Sequence, residues 1–120
     1  MILIVDDHLD SCEPLKRLLR MVGHKAECVS SGADALKFLR SVNTDAVVLD
    51  VRMPGMSGLD VLKIVRSDPN LYHLPVMMYS AEYNERDKQE AMKLGANDFV
   101  PKAQLEWPEL LDRINHVYQS

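Results

Sequence analysis

A chain of 120 residues suffices for one domain and can bury roughly two-thirds of the surface its unfolded form exposes. Its 47% apolar and 27% charged content is that of a globular domain, and a formal charge of −4 argues against the basic face that direct nucleic-acid binding needs. No apolar run approaches the length of a membrane span and no signal peptide is visible, so a cytoplasmic chain with neither nucleic-acid nor membrane partners is expected.

Strand and helix signals alternate from end to end. Residues 1–5 form an apolar strand that runs into Asp6-Asp7. A helix is predicted over 11–22, with Ser11 as N-cap, Pro14 in the first turn, Leu15, Leu18, Leu19 and Val22 on one face, and Gly23 closing it. Residues 25–29 read as a more polar strand, nearer an edge. Ser30-Ser31-Gly32 opens a second helix whose stripe is Ala35, Leu36 and Leu39. A strand over 45–49 ends in Asp50, and the Pro54, Gly55 and Gly58 that follow mark a turn-rich loop. Leu59, Leu62 and Val65 or Arg66 carry a third helix, which Asp68-Pro69 stops. Residues 75–79 form the fourth strand, 85–94 the fourth helix and 97–100 the fifth strand. Pro108, at the first helical position, starts a last helix with Leu110, Leu111, Ile114 and Val117 as its stripe.

Five strands alternating with five helices require a parallel sheet covered on both faces. In such sheets the functional crevice lies beyond the carboxyl ends of the strands. Asp6, Asp7 and Asp50, together with Lys102 after Phe99-Val100-Pro101, all sit at such ends. Three carboxylates drawn together repel unless a cation joins them. A hard divalent metal with oxygen ligands, Mg2+ or alternatively Mn2+, resolves that conflict, and the lysine beside it suggests a phosphoryl group. Cys12 and Cys28 read as reduced, partly buried thiols, too few for a disulfide framework. The four histidines show no ligand-like spacing.

The arrangement resembles the receiver domain of two-component response regulators, of the single-domain, chemotaxis-regulator-like kind, and does so over residues 1–120. The resemblance rests on Ile4-Val5-Asp6-Asp7, on Asp50-Val51-Arg52-Met53-Pro54-Gly55-Met56-Ser57-Gly58, on Ser80-Ala81, and on Gly95-Ala96-Asn97-Asp98-Phe99-Val100-Pro101-Lys102. It implies a flavodoxin-like, doubly wound α/β fold with a five-stranded parallel sheet of order 2-1-3-4-5. It further implies that Asp50 is the phosphoacceptor, and that Asp6, Asp7, Asp50 and the backbone carbonyl of Arg52 hold the metal. Ser80, the backbone of Ala81 and Lys102 would contact the phosphoryl oxygens, Ser80 and Phe99 would form the switch, and Arg52 and Glu82 would tune the lifetime of the phosphoryl group. The implied donor is a histidine kinase or a histidine phosphotransfer protein. The implied readout is a downstream target or output domain on the face of the fourth helix, fifth strand and fifth helix, with phosphorylation-dependent dimerisation left open. The chain would be a phosphoacceptor that catalyses only its own phosphorylation and dephosphorylation. No output domain follows the fifth helix in this sequence. Ala103 stands where the family usually has a proline after a cis bond, so a trans peptide is expected there.

Taken one by one, these residues have plainer readings. Asp6 and Asp7 can end a strand and favour the next helix's N-terminus, and Asp50 can form a turn. Ser80 can be a turn residue, Lys102 a solvated charge and Phe99 a core residue. Trp107 is either a helix-entry anchor or part of a partner surface. Two other functions compete. A phosphatase of the haloacid-dehalogenase type wants a second acid two residues after the first, where Arg52 stands. A flavin or dinucleotide binder wants a phosphate-cradling loop after strand one, where Asp6-Asp7-His8 stands. A binding-only version of the same fold would label neither itself nor a substrate.

Overall fold

A computed structural model describes residues 1–102 and 107–119. The elements follow in strict alternation: β1 (Ile2–Val5), α1 (Leu9–Met21), β2 (Ala26–Val29), α2 (Gly32–Ser41), β3 (Ala46–Asp50), α3 (Gly58–Ser67), β4 (Val76–Ser80), α4 (Glu85–Lys93), β5 (Asp98–Pro101) and α5 (Trp107–Tyr118). All strand pairs are parallel, in the order β2-β1-β3-β4-β5. This is the flavodoxin-like α/β architecture expected from the sequence.

The period-2 alternation of the strands sorts their side chains into two cores. Leu3, Val5, Val47, Leu49, Met78 and Phe99 pack on one face beneath α2, α3 and α4. Ile2, Ile4, Val48, Met77, Tyr79 and Val100 pack on the other, beneath α1 and α5. The same parity places Asp50, the last residue of β3, and Asp6 and Lys102, one residue past β1 and β5, on the α1/α5 side, the side that Tyr79 already occupies. Ladder bonds continue beyond the strand ends and fix these positions: Asp6 N–H donates to Val29 O (3.1 Å) and Lys102 N–H to Ser80 O (2.8 Å).

The cap of α2 follows the sequence, and α3 adds one that the sequence reading did not name. Ser31 accepts from Asp34 N–H, and Ser57 and Asp60 form a reciprocal capping box. At α1 the structure corrects the sequence reading. The helix begins at Leu9, where the His8 carbonyl takes the N–H groups of Ser11 and Cys12 and no side chain among the described residues caps it. Ser11 is therefore inside the helix, and Pro14 lies past the first turn, costing the Asp10 carbonyl its i+4 partner. Val22 is exposed and contributes nothing to the buried stripe of Cys12, Leu15 and Leu19. α5 begins one residue early, so Pro108 is its second residue.

A second correction is covalent. Cys12 and Cys28 are joined in a disulfide and are not free thiols. Packing α1 against β1 and β2 brings their Cα atoms to 6.3 Å, within bridging range. The expectation for the Lys102–Ala103 peptide falls on Ala103, which lies outside the described residues.

Candidate functional site

The site forms where β1, β3, β4 and β5 end. Asp6 is fully buried, Asp50 is 3% exposed and Ser80 is 1% exposed, and the last two line a cleft. The cleft has a volume of ≈ 330 Å³, and its walls include Asp50, Arg52, Ser80, Ala81, Glu82 and Lys102. The loop after β3 turns back on itself tightly. Gly58 N–H donates to Val51 O at 2.9 Å, and a Cβ on Gly58 would lie 1.9 Å from the Asp50 carbonyl oxygen, so only glycine permits the approach.

Lys102 bridges the two buried carboxylates, with Nζ 3.0 Å from Asp6 Oδ2 and 3.2 Å from Asp50 Oδ2. The other Asp50 oxygen accepts from Arg52 N–H at 3.3 Å. Asp6 Oδ1 accepts from His8 N–H at 2.9 Å, and Asp6 Oδ2 accepts from the Tyr79 hydroxyl at 2.6 Å. Burial alone would raise the Asp6 carboxyl, but the Tyr79 hydroxyl, the His8 N–H and Lys102 together hold it below the ordinary range. Asp50 has weaker support. Burial pushes it up to about 6 against the pull of Lys102, and the Asp6 charge adds to the rise.

Asp7 supplies the third carboxylate. Its buried Oδ1 has no hydrogen-bond partner among the described residues, although the His8 ring nitrogen Nδ1 stands 3.1 Å away. Ligand atoms from Asp6, Asp7, His8 and Asp50 lie within 4.8 Å of one another. The three carboxylates of this group, one with an oxygen lacking a donor, fit a hard divalent cation such as Mg2+. His8 joins this cluster, although its sequence context gave no ligand spacing.

The remaining expected residues are also at the cleft. The Ser80 hydroxyl is engaged in its own loop, donating to Glu82 O at 2.8 Å and accepting from Glu82 N–H at 3.2 Å. Phe99 is buried below, edge-on to Tyr83 at 5.8 Å between centroids. The Arg52 side chain turns away from Asp50 to pair with Asp87 of α4 at 2.7 Å, and Asn84, the N-cap of α4, donates to the same Asp87 oxygen. Besides His8, two groups at the site were missed in the sequence. Tyr79 was read only as the end of a strand, yet its parity with Met77 points it toward Asp6. Asp87, in the first turn of α4, drew no reading of its own.

A family model for the response regulator receiver domain matches residues 2–115. The chain is 45% identical over 103 residues to a chemotaxis protein CheY of Pseudomonas aeruginosa, covering 84% of this chain and 82% of that protein. It is 40% identical over 116 residues to the sensory transduction protein RegX3 of Mycolicibacterium smegmatis, covering 97% of this chain and 49% of the relative. Among solved structures, the chemotaxis protein CheY4 of Vibrio cholerae superposes with a TM-score of 0.89 at 27% identity, covering 97% of this chain and 96% of that one. The receiver domain of the Francisella response regulator 1452 does so with a TM-score of 0.88 at 28% identity, covering 98% and 95%.

Proposed function

The chain belongs to the response regulator receiver family, and from that membership we propose that residues 1–120 act as one phosphoacceptor domain of a His-Asp phosphorelay. Receiver domains are phosphoacceptor regulators that work with histidine kinases and output partners, and they generally bind Mg2+ in an acidic pocket. In this reading a phosphohistidine of a kinase or phosphotransfer protein gives its phosphoryl group to Asp50. The N–P bond breaks, an O–P bond forms on the carboxylate, and water later hydrolyses the acyl phosphate at the same site. The observation that carries the reading is the convergence of Asp6, Asp7 and Asp50 with Lys102 lying 3.0 and 3.2 Å from two of the three.

Asp6, Asp7, Asp50 and the Arg52 carbonyl would hold Mg2+, or Mn2+ in its place. The bound cation would offset charge on the phosphoryl oxygens. Lys102 lies within reach to supply a second positive charge, and Ser80 and the Ala81 N–H are the nearby donors for the same oxygens. The Ser80 hydroxyl must first leave Glu82, which opens space above Phe99 and biases the α4–β5–α5 face toward its partner-binding or dimer-forming state. Arg52 and Glu82 flank the approach of water, which gives them control over lifetime. The phosphatase alternative lacks its second acid, because Arg52 stands at that position and reaches for Asp87. Among the described residues no helix is long and apolar enough to cross a membrane. A cytoplasmic location is part of the same proposal.

The test is intact-protein mass after incubation with Mg2+ and acetyl phosphate, run beside Asp50→Asn and a chelated control. One phosphoryl adduct is expected, absent in both controls. No adduct on a folded wild-type chain would leave a domain that signals by binding alone, and turnover of external phosphate esters would favour the phosphatase.

A further inference from the structure

Asp6 is the most deeply buried acid of the site, and each of its oxygens has an assigned task. Oδ1 lies on the side of the metal-ligand cluster, 3.5 Å from the His8 ring nitrogen, and is steadied by the His8 N–H. Oδ2 is turned back into the protein, where it meets Lys102 at 3.0 Å and the Tyr79 hydroxyl at 2.6 Å. Tyr79 reaches this position because it belongs to β4 two residues after Met77 and faces the α1/α5 core with it. It is 3% exposed, and its ring lies 4.5 Å beneath Lys102 Nζ.

We propose that Tyr79 is a positioning residue of the phosphorylation site, whose hydroxyl fixes which Asp6 oxygen faces the metal and supports that carboxylate without consuming the charge of Lys102. The argument is one of supply. A carboxylate oxygen in a dry site needs donors, and here one donor is a neutral phenol and the other is the ammonium that Asp50 also needs. With the phenol in place, Lys102 can leave Asp6 for a phosphoryl oxygen while Asp6 Oδ2 keeps a partner. Without it, Asp6 can rotate, and among the described residues its remaining partner at Oδ2 is Lys102, which it then retains.

This inference rests on the Mg2+ site proposed above, and the experiment separates the two. Mg2+ alone is titrated calorimetrically into wild type, Tyr79→Phe, Asp6→Asn and the double variant. Tyr79→Phe is expected to weaken Mg2+ about tenfold, the scale of one hydrogen bond to a charged group. In the Asp6→Asn background the same substitution should change nothing further, because the hydroxyl acts through that carboxylate. A purely structural role would instead weaken both backgrounds alike and would overturn the proposal. So would a wild-type affinity retained in Tyr79→Phe. Failure of the wild-type chain to bind Mg2+ at all would overturn the metal site and this role with it. Should Tyr79→Phe not fold, the 19F resonance of Tyr79 in the 3-fluorotyrosine-labelled wild-type chain answers the same question. It should shift on Mg2+ addition and stay fixed in Asp6→Asn, and a resonance indifferent to Mg2+ counts against the proposal.

Discussion

Asp50 is held in a form poorly suited to its surroundings, and that tension is readable as a pH dependence. Its carboxyl rises from an ordinary 3.8 to about 6, chiefly through burial. Between those values the native state binds a proton that the unfolded chain has released, so the contribution of Asp50 to stability is full below about 4 and is lost as pH rises through 6. Asp6, shifted downward, acts in the opposite sense, but replacing Asp50 isolates its own part. Asp50→Asn is therefore expected to stabilise the metal-free protein at pH 7 by roughly 3 kcal/mol, with the gain fading toward pH 4. Urea unfolding in a chelating buffer at the two pH values measures this, and a gain independent of pH would contradict it. At this scale Asp6, Asp50 and Lys102 were legible because each ends an apolar run. Tyr79 was not, because an aromatic residue at a strand end reads as core until the strand beside it is known.

Among the elements, α1 departed most from its sequence signals, and for local reasons. A backbone carbonyl, not a serine hydroxyl, opens it, and Pro14 is carried inside the helix because packing of Cys12, Leu15 and Leu19 outweighs one lost hydrogen bond. Where a capping side chain does the work, at Ser31, the helix start could be read directly. The Cys12–Cys28 bond was invisible for a different reason. Two cysteines 16 residues apart reveal their proximity only once α1 folds over β2. A loop of that length is worth about 3 kcal/mol when closed covalently. Reduction, or Cys12→Ser with Cys28→Ser, should therefore lower the unfolding free energy by about that amount while leaving the fold intact. Denaturation with and without a thiol reductant, each sample checked by intact mass, measures the loss; equal stability of the two forms would show that the bond constrains little. Because a reducing cytoplasm opposes such a bond, the compartment sets which form is present.

Across the molecule, the alternation of strand and helix made the layered architecture legible, while the strand order came from family resemblance and the polar character of β2 marked only one edge. What neither supplied is the route from Asp50 to α4, because it depends on side chains 35 residues apart. The Arg52 guanidinium spans from the acceptor loop to Asp87, and Asn84 ties the same carboxylate to the start of α4. The charge that would otherwise lean over Asp50 is thus held on α4. The two ends of this tie should respond with opposite signs. Asp87→Asn frees Arg52 to pair with phosphoryl oxygens and should lengthen the acyl-phosphate lifetime, whereas Arg52→Ala opens the cleft to water and should shorten it. Because Arg52 is largely exposed, each change should be about threefold, the scale of a solvent-screened ion pair. Both substitutions should also speed amide exchange in the first turn of α4, since both remove the same tether. Lifetimes that move together, or exchange that does not move at all, would mean that the site reaches α4 only through Ser80 and Phe99.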